Sequence, residues 1–579
     1  MDSPGQNGYQ KPDMAAFVSK VAHRLQAIYK SDFTEGIVNR LLSMVSRQFD
    51  AKPAWNQEDA VLITYGNSLY MPGEKPLQTL HRFLINRLAS TISCVHILPF
   101  FPFTSDDGFS VTDYMAVNPV LGSWEDVTAI ASEFSLMSDL VINHVSVGHQ
   151  WFKNYLAEQT PGRNFFIEAE PGADYSHVIR PRSTPLFTRF ETAGGTREVW
   201  TTFSNDQVDL NFSNPEVLIE MIRVLLFYLS KGMRIIRLDA IAFLWKTKGT
   251  SCLHRPETHE IVKLLREIVA FVSPGTLILT ETNVPNRENW SYFGEGDEAH
   301  MVYQFSLPPL LLHALFSGSA KYLNQWAKEI PTTLINQTFL NYTASHDGIG
   351  IRPLEGLLPD WELRQLIEGM IGFGGQLSNK VNGDGSLSPY EINITYVDAM
   401  KGDLYGPDNL QEARFICSQA IMMSMQGIPA FYINSLVGTT NDYEGVKATG
   451  RARSINRKQW QENELSVLLS SNTMHRRLFN ELTRLMRIRQ SCSAFHPGCP
   501  QEIIAIDERV FAFMRQNPET GERIYCLSNI TGHTVEIDSV LTERKKGYDL
   551  IACELLSGTS DRILLNAYQT RWIVERDNV

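Results

Sequence analysis

The chain has 579 residues, 43% of them hydrophobic and 20% charged, which suits a soluble globular enzyme of more than one domain and excludes a low-complexity or fibrous protein. A formal net charge of −12 argues against non-specific nucleic-acid binding, and chemistry on an anion would have to rely on locally clustered arginine. The seven cysteines have no CxxC spacing and read as reduced, while a polar N-terminus and the lack of any run of about 18 apolar residues point to the cytoplasm and away from a membrane.

Residues 1–12 are rich in Gly, Pro and Gln and are expected to be disordered. Over 14–49, Phe17, Val21, Leu25 and Ile28 recur at helical spacing, so 1–55 reads as an N-terminal helical extension. Continuous apolar runs at 60–65, 91–100 and 136–143 predict three strands of a parallel sheet covered on both faces. About 90 residues then pass before Gly232, more than one crossover helix needs, and their middle is rich in aromatics, prolines and arginines, including Arg180, Arg182 and Trp200. Residues 150–212 are therefore expected to form an inserted domain. Strands four to eight are predicted at Met233–Leu238, Leu277–Thr280, 301–305, Thr338–Tyr342 and 430–433.

The fold class is thus α/β, a (β/α)8 barrel over 56–149 and 213–485. The Gly/Pro/Asn/Ser-rich stretch 348–396, with Asn382-Gly-Asp-Gly385, reads as an active-site lid. Short alternating segments at 510–514, 523–528, 534–537, Arg562–Leu565 and 570–574 predict a C-terminal antiparallel β domain over 486–579.

The chemistry centres on strand four and its exit, GMRIIRLDAIAF over 232–243. Arg237 and Asp239, two apart on a strand, share a face, so the arginine is expected to hold the aspartate ionised. A nucleophile and a structural ion pair both satisfy that strand alone. Strand five ends in Glu281 and strand seven in His346-Asp347, so three carboxylates stand at the C-terminal ends of different strands, where such a barrel keeps its chemistry.

Asp139-Leu-Val-Ile-Asn143-His144, Arg237-Leu-Asp239, Glu281-Thr-Asn283 and His346-Asp347 resemble, in order and spacing, the four signature regions of the α-amylase superfamily, glycoside hydrolase family 13. Asp106-Asp-Gly-Phe109, Asp206-Gln207-Val-Asp209, His346-Asp-Gly-Ile-Gly350, Tyr390-Glu-Ile-Asn393 and Arg453-Ser-Ile-Asn-Arg457 are similar to its sucrose phosphorylase branch. Stretches such as SDDGFSVTDY, TETNVP and SPYEINITY resemble the glucosylglycerate phosphorylases within that branch.

That resemblance implies a retaining double displacement, with Asp239 as nucleophile, Glu281 as acid/base and Asp347 on the 2- and 3-hydroxyls of the sugar. It implies His144 and His346 on glucosyl hydroxyls, Phe109 against the ring, and Asp106 closing the far end with Arg457 or a nearby arginine. It also implies substrate-binding roles for Gln207, Arg237, Tyr390 and Glu391, and a phosphate-binding role for Arg453 in the cluster Arg451, Arg453, Arg457. Glu391 departs from the glutamine usual in sucrose phosphorylases. Asn143 helps bind calcium in many amylases, but the branch lacks the rest of that site, so no metal is expected. No cofactor is expected either, and the partners are an α-glucoside and inorganic phosphate as co-substrate. Sucrose or glucosylglycerol as the glucoside, and a non-catalytic sugar-binding or partner-binding protein on this fold, are the alternatives. The sequence leaves the oligomeric state open.

Overall fold

The structure is a computed structural model that describes residues 13–576 apart from 31–32, 34, 46–47, 183, 335, 382–385, 542–545 and 557–561. The expected disorder of 1–12 and the 382–385 turn lie outside the described residues.

Eight parallel strands close a barrel in sequence order: Val61–Thr64, Cys94–Ile97, Ser135–Leu140, Met233–Leu238, Leu277–Thr280, Met301–Tyr303, Thr338–Tyr342 and Ile428–Tyr432. Strand eight pairs with strand one through Val61 and Ala430, which leaves no free edge. Strand residues are buried almost throughout because side chains fill the interior and helices cover the outside, which explains the near-continuous apolar runs. The strands differ from those runs at their ends. The 91–100 run contributes only Cys94–Ile97, and the third strand stops at Leu140 because the chain leaves the ladder to form His144–Ser146, paired antiparallel with Gln207–Asp209.

The N-terminal segment is two helices, Met14–Tyr29 and Glu35–Met44, rather than one. The first ends at Lys30, whose φ of 49° is left-handed and cannot continue a helix. Its Phe17 stacks on Phe271 of helix Pro256–Val272 at 4.0 Å, so the extension lies against the outside of the barrel. Between barrel strands three and four lie the helix Gln150–Leu156 and the hairpin Phe187–Thr192 with Gly195–Trp200. The region after strand seven has more regular structure than its composition suggests, with helix Asp360–Gly372 and the antiparallel pair Gln376–Val381 and Leu387–Asn393.

Six C-terminal strands form one antiparallel sheet, and Val535–Asp538 pairs with Arg562–Leu565 as a second. Gln501–Ile503, Lys546–Asp549 and Glu554–Leu556 belong to the larger sheet but are too short and polar to show an alternating pattern in the sequence. Among the described residues no helix is long and apolar enough to cross a membrane.

Arg489, at the end of helix Met474–Gln490, ties these parts together. It is 1% exposed and donates to the carbonyls of Gln57, Met423, Gly427 and Phe495 at 2.5, 2.7, 3.2 and 3.2 Å. Burial lowers its pKa to about 9. Arg489→Met should keep the packed stem but orphan those carbonyls, costing on the order of 3 kcal/mol. A urea unfolding midpoint equal to the parent's would refute this.

Candidate active site

At the C-terminal end of the barrel, one guanidinium organises the acids. Asp139 and Arg237 are paired across neighbouring strands, so both point into the barrel mouth. Arg237 Nη1 donates to Asp139 and also to Asp239 Oδ1 at 2.8 Å, while Nη2 lies 4.0 Å from Glu281 Oε2 and Nε donates to the Tyr303 hydroxyl at 3.2 Å. His96 Nε2 bonds the other oxygen of Asp139 at 2.7 Å. Burial alone would raise Asp139, but Arg237 and His96 outweigh it and bring its pKa down to about 2.

Asp239 differs from the sequence expectation. Its contact with Arg237 exists, yet the arginine is shared with Asp139. Burial, reinforced by the Glu281 and Asp139 charges, outweighs it and holds Asp239 well above the ordinary carboxyl range. Glu281 is also raised, first by burial, against the pull of Arg237 and of the Ala240 N–H. Burial thus raises both acids despite the nearby guanidinium, which bonds Asp239 directly and only approaches Glu281. The Ala240 N–H reaches Glu281 Oε2 at 2.9 Å because Ala240 turns the chain sharply at φ 50°, a left-handed conformation costly for a residue with a Cβ.

Eleven of the residues singled out in the sequence line one cavity of about 80 Å³, while Arg451, Arg457 and Glu391 do not. Glu391 lies behind Arg453. Its carboxylate, 2% exposed, accepts from Arg453 Nε at 2.9 Å, from Nη2 at 2.5 Å and from the Gly348 N–H at 3.1 Å. A Cβ on Gly348 would sit 2.6 Å from that side chain, so the approach requires glycine. The third nitrogen of Arg453 donates to Asp347. Arg453 is thus fully engaged by two acids and is not a free anion clamp in this state. Burial would raise Asp347, but Arg453, His346, Arg457 and Arg237 together hold it well below the usual carboxylate range.

The far end also departs from expectation. Arg457 donates to Asp107, not Asp106, and to the His346 carbonyl at 2.8 Å, while Asp106 accepts from Gln207 Nε2 at 3.2 Å. Phe109 stacks on His346 with ring centroids 5.0 Å apart. Burial lowers His346 to about 3 and lowers His144, whose Nε2 lies 3.0 Å from the Phe109 carbonyl; both rings are neutral hydrogen-bonding groups.

Two further residues carry no motif. Arg182 lines the cavity with its guanidinium 5.7 Å over the Tyr390 ring, and it makes no ion pair among the described residues. The arginine-rich composition of its loop was the available signal, though it could not single out one member. Lys246, 5% exposed, places its ammonium 2.8 Å from Asn143 Oδ1 and 2.7 Å from Asp209 Oδ2. A side-chain cation therefore already bridges the amide and carboxylate. Among the described residues no group of three or more His, Cys, Asp or Glu is arranged to hold a metal ion.

Residues 89–349 match the α-amylase catalytic-domain family. The chain is 48% identical over 475 residues to a glucosylglycerate phosphorylase from Spirochaeta thermophila, covering 82% of this chain and 80% of that protein. It is 43% identical over 564 residues to one from Escherichia coli, covering 96% and 99%. This chain belongs to the glucosylglycerate phosphorylase family. A crystal structure of sucrose 6F-phosphate phosphorylase from Thermoanaerobacter thermosaccharolyticum is similar to it with a TM-score of 0.73 and 25% identity, covering 89% of this chain and 99% of that one. The Asp239 and Glu281 pair of this family member yields a pH prediction. With Glu281 as the proton donor, kcat/KM should fall as pH rises through its raised pKa, and Glu281→Gln should abolish that basic limb while lowering turnover by about 10²- to 10⁴-fold. A limb that persists in the variant would assign the proton elsewhere. Lys246→Met should strand the buried Asp209 charge and cost about 3–5 kcal/mol, read as a fall in unfolding free energy.

Proposed function

We propose that this protein is a retaining glycoside phosphorylase that converts 2-O-α-D-glucosylglycerate and inorganic phosphate into α-D-glucose 1-phosphate and D-glycerate. Asp239 attacks the anomeric carbon as Glu281 gives its proton to the departing glycerate oxygen, leaving a β-glucosyl ester on Asp239. Phosphate then enters, Glu281 takes back one proton, and a phosphate oxygen displaces the aspartate with a second inversion. Asp347, kept ionised by its cations, accepts the 2- and 3-hydroxyls and tightens on them as positive charge develops at the ring. The reaction needs no cofactor. A cytoplasmic setting suits the cysteines, all seven free and six of them buried.

The observation that carries phosphorolysis over hydrolysis is the pair of arginines, Arg182 and Arg453, on the wall of the carboxylate cavity. Both reaction partners beyond the glucosyl unit, phosphate and glycerate, are anions, and arginine recognises either through paired N–H groups. Arg182 makes no ion pair among the described residues, so it has no such contact to give up. Arg453 has two, and donor binding frees one contact, because the Asp347 oxygen it holds is needed by the sugar hydroxyls. Relatives at 48% and 43% identity, both glucosylglycerate phosphorylases, support glycerate as the acceptor. Three acids in one cavity weigh against a non-catalytic sugar-binding protein.

Incubation with α-glucose 1-phosphate and, separately, glycerate, glycerol, fructose or water should release phosphate fastest with glycerate; a preference for fructose or glycerol would reassign the acceptor. Asp239→Asn should leave less than about a thousandth of that activity. Arg182→Ala and Arg453→Ala should each slow phosphate capture by roughly 30- to 150-fold, the loss of 2–3 kcal/mol from a charge-assisted contact. Hydrolysis of the glucosyl-enzyme should persist, so free glucose rises relative to glucose 1-phosphate. Parallel loss of both products would show that the arginine positions the glucosyl ring instead.

A further inference from the structure

A second cavity, of about 430 Å³, opens beside the carboxylate cavity on the side of Arg457. The partition between them is thin. Arg457 bonds the His346 carbonyl and approaches Asp347 to 3.8 Å on one side, and it lines the second cavity on the other. Tyr65 likewise lines the second cavity while its ring meets His346 edge-on at 5.9 Å. The turn that carries Asp106 into the inner cavity carries Asp107 into the outer one. Both residues adopt left-handed backbone, φ 53° and 50°, a strain that persists where the surroundings enforce it.

The chemistry of the outer cavity selects a ligand class. Its walls mix aromatic rings, Tyr65 and Phe103, with neutral hydrogen-bonding groups, Asn67, Thr449 and Gln459. Its charges are largely engaged: Asp107 is paired with Arg457 and, at 3.7 Å, with Arg451, while Asp442 is tied to its own helix by the Gly445 N–H at 3.0 Å. An anion or cation would have to break these pairs, whereas a neutral polyhydroxylated ring needs only flat apolar faces and hydrogen-bonding partners. Two groups in the partition have buried polar atoms with no hydrogen-bond partner, the Tyr65 hydroxyl and Arg457 Nη2. Such groups normally find partners, so a small movement of the partition would let either turn to a hydroxyl in the cavity it lines.

We propose that this outer cavity is a second carbohydrate-binding site, taking a neutral pyranosyl unit next to the glucosyl site. It rests on reading the inner cavity as the site of the glucosyl ring. The unit can arrive free, or attached to the far edge of a longer donor once the Asp107 and Arg457 pair parts.

Calorimetric titration of full-length Asp239→Asn with glucose separates this proposal from the acceptor assignment, because it needs no turnover. Two binding events are expected, reduced to one by adding Thr449→Trp, which fills the outer cavity. A single event in Asp239→Asn overturns the proposal. For the attached form, the otherwise wild-type enzyme is assayed with glucosylglycerate extended by a 4- or 6-linked glucosyl unit. Thr449→Trp should raise KM for that donor at least tenfold and leave kcat/KM for glucosylglycerate within twofold. Turnover of the extended donor indicates an attached unit, and its absence alongside two glucose events indicates a free one. If Thr449→Trp also lowers glucosylglycerate turnover, Gln459→Ala decides. A selective loss of the second glucose event in the Asp239→Asn, Gln459→Ala enzyme supports the site, and no change there overturns it.

Discussion

A single buried guanidinium sets the conditions for everything at the barrel mouth. Arg237 has a side chain 4% exposed and faces Asp139, Asp239 and Glu281 at once. A cation taken out of water on this scale is tolerable only when surrounded by acids, and those acids are tolerable only because the cation is there. The arrangement is asymmetric. Asp139, with His96 on its other oxygen, takes most of the arginine's charge and lies lowest. Asp239 and Glu281 share what remains, and burial raises both above the ordinary carboxyl range.

A second arginine repeats the logic nearer the entrance. Arg453 is held by Glu391 from behind and by Asp347 in front, and Arg457 is held by Asp107. Most of the charge around the cavity is thus compensated by internal pairing. The Asp347 oxygen that Arg453 holds is therefore shared between that guanidinium and whatever else approaches it. Arg182, which makes no ion pair among the described residues, stands on the wall of the same cavity over the Tyr390 ring.

How much of this was legible in the sequence depended on whether a residue's role is local. The barrel was, because eight apolar runs covered on both faces read alike, and their order round the ring follows the chain. The acids at strand ends stood out because charge directly after an apolar run needs a reason, and the structure gathers Asp239, Glu281 and Asp347 around one cavity. What the sequence could not show was which distant side chain each arginine would choose. Arg453 meets Glu391 across 62 residues, and Arg457 meets Asp107 across 350. Loops decide such pairings, and loop paths leave no periodicity to read. Lys246 was invisible for the same reason, Arg182 showed only as one of several arginines in its stretch, and the short strands of the C-terminal sheet were hidden because their polar residues do not alternate.

Backbone strain marks where those loop paths matter. Ala240, Asp106 and Asp107 all adopt left-handed backbone, and each immediately adjoins or supplies a group in the cavities. Ala240 turns so that its N–H faces Glu281, and the two aspartates turn so that consecutive carboxylates face different cavities. Gly108, next in the chain at φ 115°, completes the second turn, where a Cβ would meet the Pro99 carbonyl at 2.5 Å. Relaxing either turn into an ordinary extended or helical path would redirect a carboxylate or a donor by more than a hydrogen bond can follow. Ala240 follows the barrel strand Met233–Leu238 by two residues, so the closed barrel holds that turn in place, whereas the Asp106–Gly108 turn is fixed by the close approach of Gly108 to Pro99.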